Sequence, residues 1–227
     1  MKKIAAIILA RGGSKGIPGK NLKEILGQSL IFRTAKECVN SIIESTFVYS
    51  DSEEILSEAE KAGATPVKRP EDVSGDNVSS EDSIQRFLEE NDPEARFTDI
   101  AMVQCTTPFL RAFHIDKVVS KYEKGLFDSV VTVTEMPHFL GYKSGATDKE
   151  FIPLYPYRAL RQHMNSSIFI ENGGVYLTKR RLWETGRRLG SNVGIITMDW
   201  WESIEIDEPP DLEAARRLSS MFLEDKA

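Results

Sequence analysis

Short apolar runs alternate with stretches of helical spacing along most of this chain. Residues 4–10 are continuously apolar and of strand length, which predicts a strand buried on both faces. Residues 28–43 predict a helix, with Leu30, Ile31, Thr34, Ala35, Cys38 and Ile42 near helical spacing. A short strand over 46–50 ends in Asp51. A helix over 52–62 can be capped by Ser52 and is stopped by Gly63. Residues 65–67 read as a strand, and 79–90 as a helix opened by Ser79 or Ser80, with Glu81 and Asp82 near its positive end. A strand over 100–104, a helix over 112–124 ending at Gly125, and a β-branched strand over 129–134 follow. The alternation resumes with strands over 168–177 and 193–198 and a final helix from about Pro210.

This order predicts an α/β sandwich: a mostly parallel sheet with helices on both faces. Ligands in such sheets bind beyond the carboxyl ends of the strands, which singles out 11–20, Asp51 and 104–108. Residues 136–167 break the rhythm. They hold Pro137, Pro153 and Pro156, and few clear periods. On a solvent-exposed loop Phe139, Tyr142, Phe151, Tyr155 and Tyr157 would be poorly covered, so an interface is expected there. The division is a core of 1–135 and 168–227 with an arm of 136–167.

A chain of 227 residues suffices for one sizeable α/β domain. The net charge of −6 argues against a nucleic-acid partner, whose footprint would be basic. Positive charge is instead local, in 11–20 and at Arg158 and Arg161, which suits a small anionic ligand. Cys38 and Cys105 are far apart and outside any C-x-x-C, as fits a reducing cytoplasm, with Cys105 a buried small hydrophobe. Lys2-Lys3 before the first apolar run only faintly imitates a signal peptide, and no run approaches a membrane span. The histidines, His114, His138 and His163, form no metal triad; His114 reads as structural and His163 as a possible sugar contact.

Four glycines, Arg11, Lys15 and Lys20 fill the loop after the first strand. Glycines let backbone N–H groups approach an anion, and the cations neutralise it, as a triphosphate requires. Neither the P-loop nor the dinucleotide G-x-G-x-x-G spacing is present. The run from Ala10 to Pro18, then Gly19, then Lys20-Asn21 closely resembles the acylneuraminate cytidylyltransferase signature: A-R-G-G-S-K-G-I-P, one variable residue, and K-N. The resemblance implies a Rossmann-like nucleotidyltransferase fold, with 136–167 as a dimerisation arm reaching over the partner's active site in a homodimer. It also implies transfer of CMP from CTP to the anomeric hydroxyl of a nonulosonic acid or close 2-keto-3-deoxy sugar acid. Pyrophosphate leaves, and magnesium assists.

On this resemblance Arg11, Ser14, Lys15 and Lys20, with the backbone of Gly12 and Gly13, hold the triphosphate, and Asn21 bonds ribose or phosphate. Arg69, Ser79 and Ser80 lie in a second cluster expected to read cytosine, although a helix cap is the plainer use of a serine there. A third cluster, 104–111, places Gln104, Thr106 and Thr107 at the sugar, and Arg111 either there or at a helix start. It departs from the family's Q-P-T-S-P-L-R by Cys105 and an added Phe109. Arg158, Arg161, Gln162, Asn172 and Tyr176 are expected at the acceptor, an arginine pairing its carboxylate. Ile170 stands where some members carry an arginine.

Residues 203–211 resemble the family's D-I-D-T-x-x-D. In a strand, 205 and 207 share a face, and two carboxylates there can hold magnesium together with phosphate oxygens. Asp207 is thus expected as a catalytic metal ligand beside Arg11 and Lys20, Glu205 as a second ligand where aspartate is usual, and Asp211 as a helix cap. Alternatives are a CMP-Kdo-type or other sugar nucleotidyltransferase, and a nucleotide-binding homologue without catalysis, for which Glu205 is the relevant feature.

Overall fold

The computed structural model describes residues 3–75, 77–136, 140–142, 152–153 and 168–222. Most of the expected arm, with Arg158, Arg161, Gln162 and His163, lies outside the described residues, as do the side chains of Phe139, Tyr142, Phe151, Tyr155 and Tyr157.

The strands are β1 (Ile4–Leu9), β2 (Glu24–Ile25), β3 (Gln28–Ser29), β4 (Ser45–Ser50), β5 (Thr65–Lys68), β6 (Asp99–Gln104), β7 (Ser129–Met136), β8 (Gly141–Tyr142), β9 (Ile152–Pro153), β10 (Ile168–Lys179) and β11 (Val193–Thr197). The helices are α1 (Leu30–Val39), α2 (Glu53–Ala62), α3 (Ser80–Asn91), α4 (Ala112–Tyr122), α5 (Arg180–Trp183) and α6 (Pro209–Phe222). Seven strands form one sheet in the order β11-β7-β10-β6-β1-β4-β5. All neighbours are parallel except β10, which runs antiparallel to β6 and β7. β2 pairs with β3, and β8 with β9, as separate small ladders.

The period of two along β1 sorts the core into two layers. Ala6 and Ile8 face a cluster with Leu30, Ile31 and Ala35 of α1, Ile55 and Ala59 of α2, Ile115 and Val118 of α4, and Leu212 and Ala215 of α6. Ala5 and Ile7 face Ile84, Phe87 and Leu88 of α3 and Trp183 of α5. Each fully buried aliphatic of this kind contributes roughly 1.5–3 kcal/mol. The result is the expected three-layer α/β sandwich.

The first expected helix is shorter than 28–43. Residues 24–29 form the β2–β3 hairpin, and Ser29 caps α1 by accepting from Phe32 N–H at 3.2 Å. The stretch 204–207 is not a strand; it has no regular structure and is fixed by tertiary bonds. Among the described residues no helix is long and apolar enough to cross a membrane.

β1 is the switch point. The chain moves from it to β4 and β5 on one side and then crosses to β6 on the other. A crevice opens at such a point beyond the strand ends.

Candidate active site

A cleft of about 540 Å³ occupies that crevice. Its walls come from four places: Leu9 to Asn21, the β5–α3 connection, the end of β6, and Asp207-Glu208. Arg11, Ser14, Lys15, Gly16, Lys20 and Asn21 all line it. Gly12 and Gly13 do not. The Gly12 N–H donates to Asp51 Oδ1 at 2.8 Å, tying the loop to the end of β4. Asn21, 7% exposed, closes the loop from within by donating to the Arg11 carbonyl at 3.0 Å. One of its amide N–H groups is thus used in holding the loop's shape.

Gly16 is where the loop meets the acidic segment. A Cβ there would stand 2.4 Å from the Asp207 carbonyl oxygen. Lys20 crosses the same gap. Its Nζ donates to the Ile206 carbonyl at 2.9 Å and to Asp207 Oδ1 at 3.0 Å. Asp207 is mostly solvent-facing, while the Lys20 amine is largely enclosed.

Arg69 lies on the opposite wall, 6% exposed. Its Nη2 donates to Ser83 Oγ at 2.6 Å, and Ser83 in turn donates to the Ser79 carbonyl at 2.8 Å. Its Nε has no hydrogen-bond partner. Burial draws its pKa below the usual guanidinium range, with Tyr49 and Asp51 opposing the shift. Ser80 and Ser83 line the cleft. Ser79 instead forms a capping box with Asp82, which occupies its hydroxyl. Ser83 was not singled out from sequence, although its place four residues after Ser79, one helical turn on, was visible there.

Gln104, Cys105 and Thr106 line the cleft from β6. Cys105 is buried, and that burial pushes its thiol up to about 12. Thr106 Oγ1 donates to Glu205 Oε1 at 3.2 Å, and the Thr106 carbonyl accepts from Ile206 N–H at 2.8 Å. Glu205 is thereby turned toward β6, where burial and the neighbouring Asp207 raise its pKa. Glu205 and Asp207 thus share one short segment without the strand geometry expected for them. Among the described residues no group of three His, Cys, Asp or Glu side chains could hold a metal ion.

Three residues expected at the acceptor are buried structural groups. Thr107 is fully buried and donates to the Asn172 carbonyl at 2.6 Å. Asn172 is 2% exposed. Tyr176 is packed in the second core layer, donates to Glu171 Oε2 at 3.0 Å and lies under the Arg188 guanidinium. Arg111 immediately precedes α4 and pairs with Glu37, and Asp211 Oδ2 accepts from Asp207 N–H and Glu208 N–H at the start of α6.

Residues 5–139 match the family model described as cytidylyltransferase. The chain is 35% identical over 221 residues to N-acylneuraminate cytidylyltransferase A of Danio rerio, covering 95% of this chain and 50% of that protein. It is 36% identical over 193 residues to N-acylneuraminate cytidylyltransferase of Oncorhynchus mykiss, covering 83% of this chain and 44% of that protein. The chain thus spans about half the length of the curated relatives it matches. Among solved structures, CMP:2-keto-3-deoxy-manno-octonic acid synthetase complexed with CTP superposes with a TM-score of 0.72 at 16% identity, covering 98% of this chain and 100% of that one. A 4-diphosphocytidyl-2C-methyl-D-erythritol synthase from Anaerococcus prevotii gives 0.70 at 15%, over 96% of each. At such identities these two establish a shared fold. With the match running over 5–139, through β1, its loop and the β6 wall of the cleft, the chain belongs to the cytidylyltransferase family.

Proposed function

We propose that this protein transfers CMP from CTP to the anomeric hydroxyl of a nonulosonic, sialic-type acid and releases pyrophosphate. The observation that carries the reading is Arg69, a buried guanidinium with no ion-paired carboxylate among the described residues, facing a cleft that also takes Arg11, Lys15 and Lys20. A buried charge is costly unless a ligand group meets it. A nucleoside triphosphate offers phosphates to the loop cations and a carbonyl-bearing base to Arg69. The names of the fish relatives support the acceptor class.

In this reading Arg11, Ser14, Lys15 and Lys20 hold the phosphates. Lys20 is pre-aimed by its bonds to the 206–207 backbone and carboxylate. Arg69 and Ser80 face the base. Gln104 and Thr106 bound the acceptor side, and Arg158 or Arg161 pairs with the acceptor carboxylate. Holding the hydroxyl in line with the α-phosphate then supplies much of the rate.

Magnesium fits the donor set. Two carboxylates, Glu205 and Asp207, lie beside Lys20, and a cation there offsets both the burial and the repulsion from Asp207 that raise the Glu205 pKa. Such an ion is held by one or two carboxylates, with substrate oxygens and water completing its shell. When bound, it neutralises charge on the phosphates during transfer. A cytoplasmic homodimer completes the proposal.

The test is pyrophosphate release with CTP and magnesium over a panel of 2-keto sugar acids. Release with a sialic-type acid is expected. A dominant signal with Kdo would move the protein to a Kdo-type activity, and a preference for UTP or GTP would overturn the base assignment. CTP binding without release across the panel would make it a nucleotide-binding protein without catalysis.

A further inference from the structure

The segment 204–207 carries Glu205 and Asp207, of which Asp207 lines the cleft, yet has no secondary structure of its own. Its position must come from what it is tied to. Immediately before it, residues 199–203 form a turn in which Ser203 N–H donates to the Asp199 carbonyl at 3.1 Å and Ser203 Oγ to the same carbonyl at 2.9 Å. Ser203 Oγ also accepts from Asn172 Nδ2 at 2.9 Å.

An asparagine amide has one oxygen acceptor and two N–H donors. In Asn172 both N–H donors and the oxygen are engaged. Oδ1 accepts from Gly174 N–H at 3.2 Å, and Nδ2 serves Ser203 Oγ and, at 3.3 Å, Met198 Sδ. The backbone carbonyl takes the Thr107 hydroxyl. At 2% exposure the side chain is closed off from a ligand in the cleft. The bond to Gly174 also shapes the bulge in β10, where Gly173 adopts φ +68°. A Cβ at Gly173 would stand 2.8 Å from both Gln104 Oε1 and Glu205 Oε1, so this backbone is the surface against which Glu205 rests.

We propose that Asn172 is a positioning residue: through Ser203 and the Gly173 bulge it sets the register of 204–207, so that Glu205 and Asp207 face the nucleotide. The inference rests on the reading that those carboxylates serve nucleotidyl transfer. It departs from an acceptor-contact role for Asn172 and assigns a purpose to Ser203.

The experiment compares Ser203→Ala, Ser203→Thr and Asn172→Ala with the parent protein in two measurements. The first, independent of activity, is amide hydrogen exchange at Ile206, whose N–H is bonded to the Thr106 carbonyl. Ser203→Ala and Asn172→Ala are expected to speed it at least tenfold, and Ser203→Thr, which keeps the hydroxyl, to restore it within threefold. The second is a split between kcat and CTP affinity. The two alanine variants should lose 10- to 100-fold in kcat while CTP binding, measured by calorimetry without divalent metal, stays within threefold. Unchanged exchange at Ile206 in a folded Ser203→Ala protein would overturn the positioning role. So would loss of CTP affinity in step with kcat. Should Asn172→Ala not fold, the Ser203 pair decides alone. Silence of the parent protein with every sugar acid would sink the transfer reading, and the exchange measurement would still decide whether Asn172 holds the segment.

Discussion

Two single residues link binding and stability in opposite ways. At Gly16 any side chain must displace the Asp207 backbone, since a Cβ would lie 2.4 Å from its carbonyl oxygen. Gly16→Ala is expected to push the phosphate loop off the acidic segment, weakening CTP binding at least tenfold and costing about 1–3 kcal/mol of stability, the usual scale of overpacking. Calorimetric titration with CTP and urea unfolding measure both; unchanged affinity would mean that the 207 backbone yields freely. Arg69 should show the opposite pairing. Its guanidinium is buried, donates to Ser83, lies over the Tyr49 ring and has no ion-paired carboxylate among the described residues. Replacing a buried charge that lacks a paired carboxylate by an apolar chain of similar length removes its desolvation cost. Arg69→Met should therefore melt no lower than the parent while losing CTP affinity more than tenfold, and retained affinity would show that the base is read elsewhere.

At the scale of elements, what was legible in the sequence was what is encoded locally. Gly63 closes α2 and Ser79 opens α3 as expected, because a cap is decided by residues within one turn. The glycine-rich loop was legible for the same reason, being contiguous. Hydrophobic periodicity does not report strand direction, so the antiparallel course of β10 could not be read. Nor could the irregular path of 204–207, which Lys20, Thr106 and the turn before it impose from a distance. Asn172, Thr107 and Tyr176 sit in motifs near the site, but a motif does not report burial, and all three prove enclosed.

His114 fits its structural reading and adds a pH dependence. Its Nδ1 accepts from Arg111 N–H at 3.1 Å, which leaves Nε2–H for Glu202 at 3.3 Å and makes the ring neutral. Burial, then the positive Lys117 and Arg111, lower its pKa from 6.5 to about 4. The unfolded chain therefore takes up this proton below about pH 6.5 and the folded one only near pH 4, so stability from this group is full above 6.5 and falls as the pH drops through that window. The raised Glu202 carboxyl acts in the opposite sense just above its usual range. Relative to His114→Gln, the parent should lose up to roughly 3 kcal/mol between pH 7 and 4, at about 1.4 kcal/mol per pH unit. Parallel melting curves for the two proteins across that range would show that the ring is already charged in the fold.

At the scale of the whole molecule, one part of the sheet has no further neighbouring strand among the described residues. β10 pairs with β6 only through 175–179, and β11 follows β7 only as far as Val133. Beyond those limits Thr134, Glu135 and Met136 pair with Ile170, Phe169 and Ile168 as a two-stranded ribbon. Such a ribbon is marginally stable alone in water. Its adjacent residues point to opposite faces, so Phe169 and Ile170, each 39% exposed, present apolar surface on both sides. A second copy of the chain covers such a ribbon naturally, since a two-fold axis sets the same patch against itself. Light scattering should then give twice the 25.5 kDa chain mass at micromolar concentration. Introducing charge with Phe169→Lys and Ile170→Lys together should shift the protein toward monomer. The cleft proposed for CTP is lined by residues of one chain, so CTP affinity of the double variant should stay within threefold of the parent. Turnover, if the partner covers the acceptor, should fall at least tenfold. A parent protein of single-chain mass at tens of micromolar would rule out the dimer, and a dimeric double variant would place its interface away from the ribbon.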